Sequence, residues 1–143
     1  MTTGTLVDTC VGEVHRLHRV IADWTTGTIP DTDDGFAGFA DAFAPTFEIV
    51  NPNGAREAAT DVVPRFRLRH GERGGRDFSI RITHEDVRPL SDDTALTVYQ
   101  EHWFHGASEQ SVILASAVLR LDKVRPGGVA WLHLHETWLR APS

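Results

Sequence analysis

The residues in this chain best suited to chemistry are two glutamates, Glu101 and Glu136, each embedded in a strongly apolar segment. Glu101 belongs to Thr-Val-Tyr-Gln-Glu-His-Trp, ending at Trp103, and Glu136 to Trp-Leu-His-Leu-His-Glu-Thr-Trp, ending at Trp138. In an extended strand, residues two apart share a face. Strict alternation then puts Tyr99, Glu101 and Trp103 on one face. Ile113, Ala115, Ala117 and Leu119 join them from the next segment, and Leu132, Leu134, Glu136 and Trp138 from the last. The opposite face carries Gln100, His102 and Phe104, then Ser116, Val118 and Arg120, then Trp131, His133, His135 and Thr137. The first face is apolar apart from its glutamates, so it should turn inward. A carboxylate placed there is pushed toward its neutral form. The small Ala115 and Ala117 leave room for a cavity between the two glutamates. Glu101 and Glu136 could then act as general acid and base beside Tyr99 and Trp138, or orient a polar ligand. The competing reading is structural: each pairs with an arginine or sits in water at the sheet rim.

Histidines offer a second chemistry. His133 and His135 share a strand face, and His102 has the same orientation on another strand, which is the donor set of an open zinc site. A strand intervenes between them, however, separating the donors by about 10 Å. A polar outer face or a subunit contact explains them as well. His15 and His18 flank a helical stripe and can reach a pocket mouth. Eight of the thirteen arginines fall between Arg56 and Arg88. That stretch can meet an anionic partner, or simply form a solvated face. No glycine-rich phosphate loop, nucleophile elbow or dinucleotide fingerprint is present.

The elements that must position these residues follow from periodicity. Val7, Cys10, Val14, Leu17, Ile21 and Trp24 trace one helical stripe, stopped by Gly27; Cys10 is read as a core residue. A shorter helix, capped by Asp33 or Asp34, buries Phe36, Phe39, Ala40 and Phe43 and ends at Pro45. Residues 47–50 read as a strand, 51–54 as a turn, 56–70 as a helix with Val62, Val63, Phe66 and Leu68 inward, and 71–75 as an exposed connection. From Asp77 the period becomes two, with Phe78, Ile80 and Ile82 on one side. Strands over 95–105, 110–123 and 129–140 follow with short turns, giving an antiparallel meander whose inner face the helices cover.

The 143 residues fit one domain, 1–143. The lone cysteine excludes an internal disulfide and a cysteine-rich zinc site. A net charge of −6 argues against nucleic acid as the main partner. Met1 to Thr5 lacks the basic flank and apolar run of a secretion signal, and no apolar stretch is long enough to span a bilayer, so a cytoplasmic protein is expected.

The helix followed by Phe39-Ala40-Asp41-Ala42-Phe43-Ala44-Pro45-Thr46-Phe47-Glu48-Ile49-Val50-Asn51-Pro52-Asn53-Gly54, together with the two glutamate segments, resembles the nuclear transport factor 2-like superfamily. Within it the chain is similar to the SnoaL-like and calcium/calmodulin-kinase-association-like branch. The resemblance covers nearly the whole chain. It implies an α+β cone, a strongly curved antiparallel sheet wrapped around N-terminal helices, with a pocket between them and a homodimer across outer sheet faces. Its enzymes are isomerases, cyclases and dehydratases; its other members bind ligands or assemble. In the association branch the residue after the last histidine of the final strand points into the pocket, and here that residue is Glu136.

Three functions are therefore expected to compete. In the first, an acid–base isomerase, cyclase or dehydratase acts on a small, largely apolar or amphipathic molecule without a cofactor. Glu101 or Glu136 is its base, and Tyr99 or His18 polarises the substrate oxygen. Trp24, Trp103, Ala115, Ala117, Leu134 and Trp138 line the pocket. The second is a non-catalytic ligand-binding or dimeric assembly domain of the same fold. The third is a metal enzyme using His102, His133 and His135.

Overall fold

Apolar residues spaced by three and four wind the first helix, α1 (Thr3–Thr25), and its buried stripe of Leu6, Cys10, Val14, Leu17 and Trp24 forms the centre of the core. The computed structural model of the chain describes residues 3–143. Met1 and Thr2, at the start of the stretch read above for a targeting signal, lie outside the described residues. The helix is followed by α2 (Asp33–Ala40), β1 (Phe43–Val50), β2 (Arg56–Ala58), α3 (Ala59–Arg67), β3 (Phe78–Pro89), β4 (Thr94–His105), β5 (Ser108–Leu121) and β6 (Val129–Arg140). The strands form a single sheet in the order β2-β1-β6-β5-β4-β3. Strands β3 to β6 are the expected meander, while β1 joins it parallel to β6. The whole is an α+β cone, with α1 lying along the concave face.

Several boundaries differ from expectation for identifiable reasons. The cap of α2 is Thr32, whose hydroxyl accepts from the Gly35 N–H at 3.0 Å, and Asp33 and Asp34 occupy the first turn instead. That helix ends at Ala40, and Phe43 opens β1 because its backbone runs beside Trp131 of β6. Residues 56–58 pair with β1 as β2, which shortens the expected 56–70 helix to Ala59–Arg67. Leu68 lies beyond its end and is 87% exposed rather than inward.

Bulges bend the sheet. Register shifts occur at Thr83/Asp86 in β3, where His84 adopts φ +57°, at Trp103/Phe104 in β4, and at Val112/Ile113 and Val118/Leu119 in β5 against β6. Each adds local twist, and together they curl the strands around α1. The last shift has a specific consequence. Val118 faces His133 while Leu119 faces Trp131, so Leu132 is the extra residue and parity changes there. Trp131, expected outside, is therefore fully buried on the inner side, and Leu132 is displaced from it.

The inward turn of Trp131 completes a buried polar network. Its indole N–H donates to Glu13 Oε2 at 2.8 Å. Arg16 grips the same carboxylate through Nε at 2.5 Å and Nη2 at 3.0 Å, and donates from Nη1 to the Gly38 carbonyl at 2.9 Å. One carboxylate thus ties α1 to α2 and β6. No helix among the described residues is long and apolar enough to cross a membrane.

Gly127, in the turn before β6, lies against this network: a β-carbon there would overlap the Glu13 carboxylate and approach Arg16 Nε to 2.9 Å. Three hydrogen bonds prevent that carboxylate from swinging aside. Gly127→Ala should cost about 1–3 kcal/mol of stability, by the overpacking it forces. Urea denaturation measures this, and a midpoint matching the unaltered protein would show that the network yields freely.

Candidate functional site

The site begins with a histidine on the buried side of α1. His18 is 4% exposed, and its Nδ1 lies 2.7 Å from the Val14 carbonyl four residues back. A carbonyl only accepts, so Nδ1 carries the proton and the ring is fixed with Nε2 aimed at β4. There Nε2 meets Glu101 Oε2 at 3.0 Å, while the Trp103 indole N–H donates to Oε1 at 2.6 Å. Both Glu101 oxygens are thus engaged. Burial pulls the His18 pKa down, but the charge and hydrogen bond of Glu101 outweigh it and leave it raised. Burial likewise pushes Glu101 up, and His18 with Trp103 reverses this to a net lowering. Both shifts favour the charged forms, an imidazolium against a carboxylate. Tyr99 packs edge-on against His18 with ring centroids 5.4 Å apart, and its buried hydroxyl has no hydrogen-bond partner. Burial, then the charges of Glu101 and Glu136, push the phenol pKa well up, so it stays protonated.

Glu136 behaves oppositely to Glu101. Across β5, Ala115 sits between Tyr99 and Glu136, and Ile113 sits between Glu101 and Trp138. The two carboxylates are therefore diagonal neighbours above the Ala115 methyl. Desolvation, then the charge of Glu101, raises the Glu136 pKa to about 8, with His18 opposing. Among the described residues no group hydrogen-bonds the Glu136 carboxyl. One glutamate is ionised and engaged; the other is protonated at neutral pH and free.

Two cavities share Glu136 and Trp103 as common wall. The inner one, about 210 Å³, is bounded by Leu17, Phe39, Phe47 and Leu134, with His18 and Glu101 at its base. The outer one, about 450 Å³, runs between Phe78, Trp103, Trp138 and the arginines Arg73 and Arg76. Of the residues singled out from sequence, the structure gathers His18, Glu101, Glu136, Trp103, Leu134 and Trp138 here. Ala115 and Ala117 are fully buried beneath and make the space without lining it, and Tyr99 is closed off in the wall. Trp24 is not brought to either cavity: its N–H donates to the Phe66 carbonyl at 3.2 Å and its ring packs on Phe36 and His70.

The metal geometry does not assemble. His102 meets Thr83 Oγ1 at 2.8 Å and Glu109 at 3.0 Å, and β5 separates it from His133 and His135. Among the described residues no group of three metal-ligating side chains converges. Cys10 is fully buried and its thiol pKa is raised, chiefly by that burial. Sequence reasoning missed Glu13, whose inward position depends on the Trp131 bulge. It also left Arg73 in an exposed connection and gave Arg76 no place, with only the arginine run as a signal.

Residues 12–140 match the family model described as sucrose-6-phosphate phosphohydrolase C-terminal. The chain is 23% identical over 131 residues to sucrose-phosphatase 1 of Nicotiana tabacum, covering 92% of this chain and 31% of that protein. It therefore spans about a third of the length of the curated relatives it matches. Among solved structures it is similar to an NTF-2 like protein of unknown function from Pseudomonas aeruginosa, at 30% identity, TM-score 0.77, and 91% and 98% coverage of the two chains. A nuclear transport factor 2-like superfamily protein from Salmonella enterica matches at 15% identity and TM-score 0.64, covering 99% and 94%. The chain belongs to the sucrose-6-phosphate phosphohydrolase C-terminal family, and to the nuclear transport factor 2-like superfamily that the sequence resemblance reached.

These shifts fix a pH dependence. Between its ordinary pKa of 4.5 and about 8, folded Glu136 keeps a proton that the unfolded chain releases. His18, with its raised pKa, stabilises the fold fully below its ordinary 6.5 and loses that contribution as pH rises through the folded value. Both make stability fall with rising pH, whereas the lowered Glu101 weakens the fold only as pH falls below about 4.5. Stability should therefore decline from pH 6 to 9, and Glu136→Gln should be more stable than the unaltered protein at pH 9 by about 1–3 kcal/mol. Denaturation curves across that range decide it; parallel declines in both proteins would refute the assignment.

Proposed function

We propose that this member of the sucrose-6-phosphate phosphohydrolase C-terminal family, acting as one pocket domain, binds a small, largely apolar molecule and transfers a proton on it through Glu136. The observation that carries this is a carboxyl with a pKa near 8 in the wall shared by both cavities. A group titrating near neutral pH is best placed to give and take a proton. Glu101 and His18 serve as positioning residues. Their charges hold Glu136 near its working pKa, and neither Glu101 oxygen is free to exchange a proton itself. Leu134 and Trp103 supply apolar contact and exclude water, which strengthens these electrostatic effects.

A second reading keeps the pocket and drops the chemistry. The relatives named as sucrose-phosphatases are about three times the length of this chain. In such a setting the domain would be a binding module, with Trp103 and Trp138 offering flat faces to a ring. Under either reading, the outer sheet face would seat a second copy of the chain over the partly exposed Leu96, Val98, Leu114 and Val118. Sedimentation should then show a dimer at micromolar concentration, and a monomer throughout removes that part.

Hydrogen exchange separates the two readings. Cyclohexanone and 2-cyclohexenone are incubated with the protein in D₂O at pH 8, and loss of the proton beside the carbonyl is followed by NMR. Exchange should be accelerated, and Glu136→Gln should lower it by about 10²–10⁴-fold, as expected for loss of a general acid–base. Ligand-induced shifts without any acceleration would establish the binding reading instead.

A further inference from the structure

The outer cavity has an unusual wall. Arg73 and Arg76 reach it from the segment between α3 and β3, which was expected to be a plain exposed connection. That segment is held in place. The Gly71 N–H donates to the Trp24 carbonyl at 3.1 Å and the Arg73 N–H to the Thr25 carbonyl at 2.7 Å, so carbonyls in the last turn of α1 anchor it. Gly71 at φ +72° and Gly75 at φ +75° let the chain make the turns on either side. The guanidinium of Arg73 is thereby laid over Phe78, 4.2 Å from the ring centroid, and beside Trp103 at 5.2 Å.

Its charge is answered only at a distance. Arg73 Nε is buried without a hydrogen-bond partner. The nearest carboxylate, Glu72, lies 4.0 Å away and is already held by Arg69 at 2.6 and 2.8 Å. Arg76 makes no ion pair among the described residues. The other titratable groups facing this space are His105 and the Glu136 carboxyl, with Glu101 and His18 behind the shared wall and Tyr99 closed off beside them. Arg73, with only a long contact to an already engaged Glu72, and Arg76, with no ion pair among the described residues, line a cavity of about 450 Å³ in a chain of net charge −6, against the overall field. A buried donor without a partner is costly unless something supplies an acceptor.

We propose that the outer cavity binds the oxyanion of a small organic acid, a carboxylate or phosphate monoester, on Arg73 and Arg76, with the molecule's apolar or ring body lying between Trp103 and Trp138 and reaching Glu136. Arginine's planar fork suits both anions, and a cavity of this size suits a ligand of drug-like dimensions. The neutral Glu136 carboxyl is compatible with an anion nearby, and can donate a hydrogen bond to it; the ionised form would repel it. This inference rests on the reading of these cavities as a ligand site, and it does not require that Glu136 do chemistry.

The test uses three probes with one aromatic body: phenylacetate, phenyl phosphate and the neutral phenylacetamide, titrated into the full chain by calorimetry with NMR of the tryptophan indoles. At least one anion should bind tenfold or more tightly than the amide, and the stronger of the two identifies the oxyanion class. Arg73→Gln should remove that preference, Arg73→Lys should restore part of it, and Arg76→Gln serves if the Arg73 variants fold poorly. Affinity for the anion should also fall as pH rises above 8, and Glu136→Gln should abolish that fall. Equal binding of all three probes, with Trp103 and Trp138 shifting, would overturn the anion proposal while leaving the pocket reading intact. If no probe perturbs the indoles, both are overturned.

Discussion

A carboxylate on the concave face of a curved sheet has lost most of its water, and its surroundings must supply what the water did. Glu101 receives a cation from α1 and an indole N–H from two residues along its own strand. This demand sets how α1 lies in the cone. His18 can reach Glu101 only if its helix face turns toward β4, and the bond from Nδ1 to the Val14 carbonyl locks the ring in that pose. The same rotation turns Leu6, Cys10, Val14 and Leu17 onto the sheet. A buried ion pair is weak evidence for stability, because desolvation offsets the attraction. Its effect here is to select one orientation of helix against sheet. His18 is already engaged by Glu101, and among the described residues no arginine pairs with Glu136, so desolvation and the charge of Glu101 leave Glu136 holding its proton.

The part of this that was legible in the sequence was what alternation and helical spacing could carry. Tyr99, Glu101, Ala115, Ala117, Leu134 and Glu136 were sorted to the inner side correctly because no bulge interrupts the register between them. His18 was seen as able to reach a pocket, but nothing in the spacing of α1 could say that it would meet Glu101, a partner 83 residues away. Likewise, the opposite protonation of the two glutamates depends on which one receives the histidine. Residue pattern alone leaves them equivalent.

The misplaced Trp131 and the missed Glu13 share a physical origin in one bulge. Counting by twos through Leu132 sends Trp131 outward, and with Trp131 outside there is no reason to bury Glu13. Once the extra residue is accommodated, Trp131 turns in and Glu13 becomes an internal acceptor shared by Trp131 and Arg16. Trp24 was misplaced for a different reason. The helical stripe correctly buries it, but burial near the end of α1 puts it under α3 and the following turn, away from the open part of the cone. A stripe says which side of a helix is covered, and the covering element decides whether that side meets a cavity.

The two ends of α1's reach also explain why the charges divide as they do. Midway along the helix, His18 brings a cation that Glu101 answers within the inner wall, and the rest of that chamber is apolar apart from Arg69 and Glu136. At the C-terminus, the exposed carbonyls form the negative pole of the helix, and that pole both accepts backbone N–H groups and favours cations nearby. Arg73 meets it through its own N–H on the Thr25 carbonyl. Yet a helix terminus carries only about half a charge, so it can hold the segment in place without neutralising Arg73 and Arg76. The positive field of Arg73 and Arg76 falls on the outer cavity, whose wall they help form, while Trp103 and Glu136 stand between it and the inner one. Ionising Glu136 would place a negative charge between the two arginines' field and the His18–Glu101 pair. The protonation of that single carboxyl therefore sets the electrostatic character of both chambers at once.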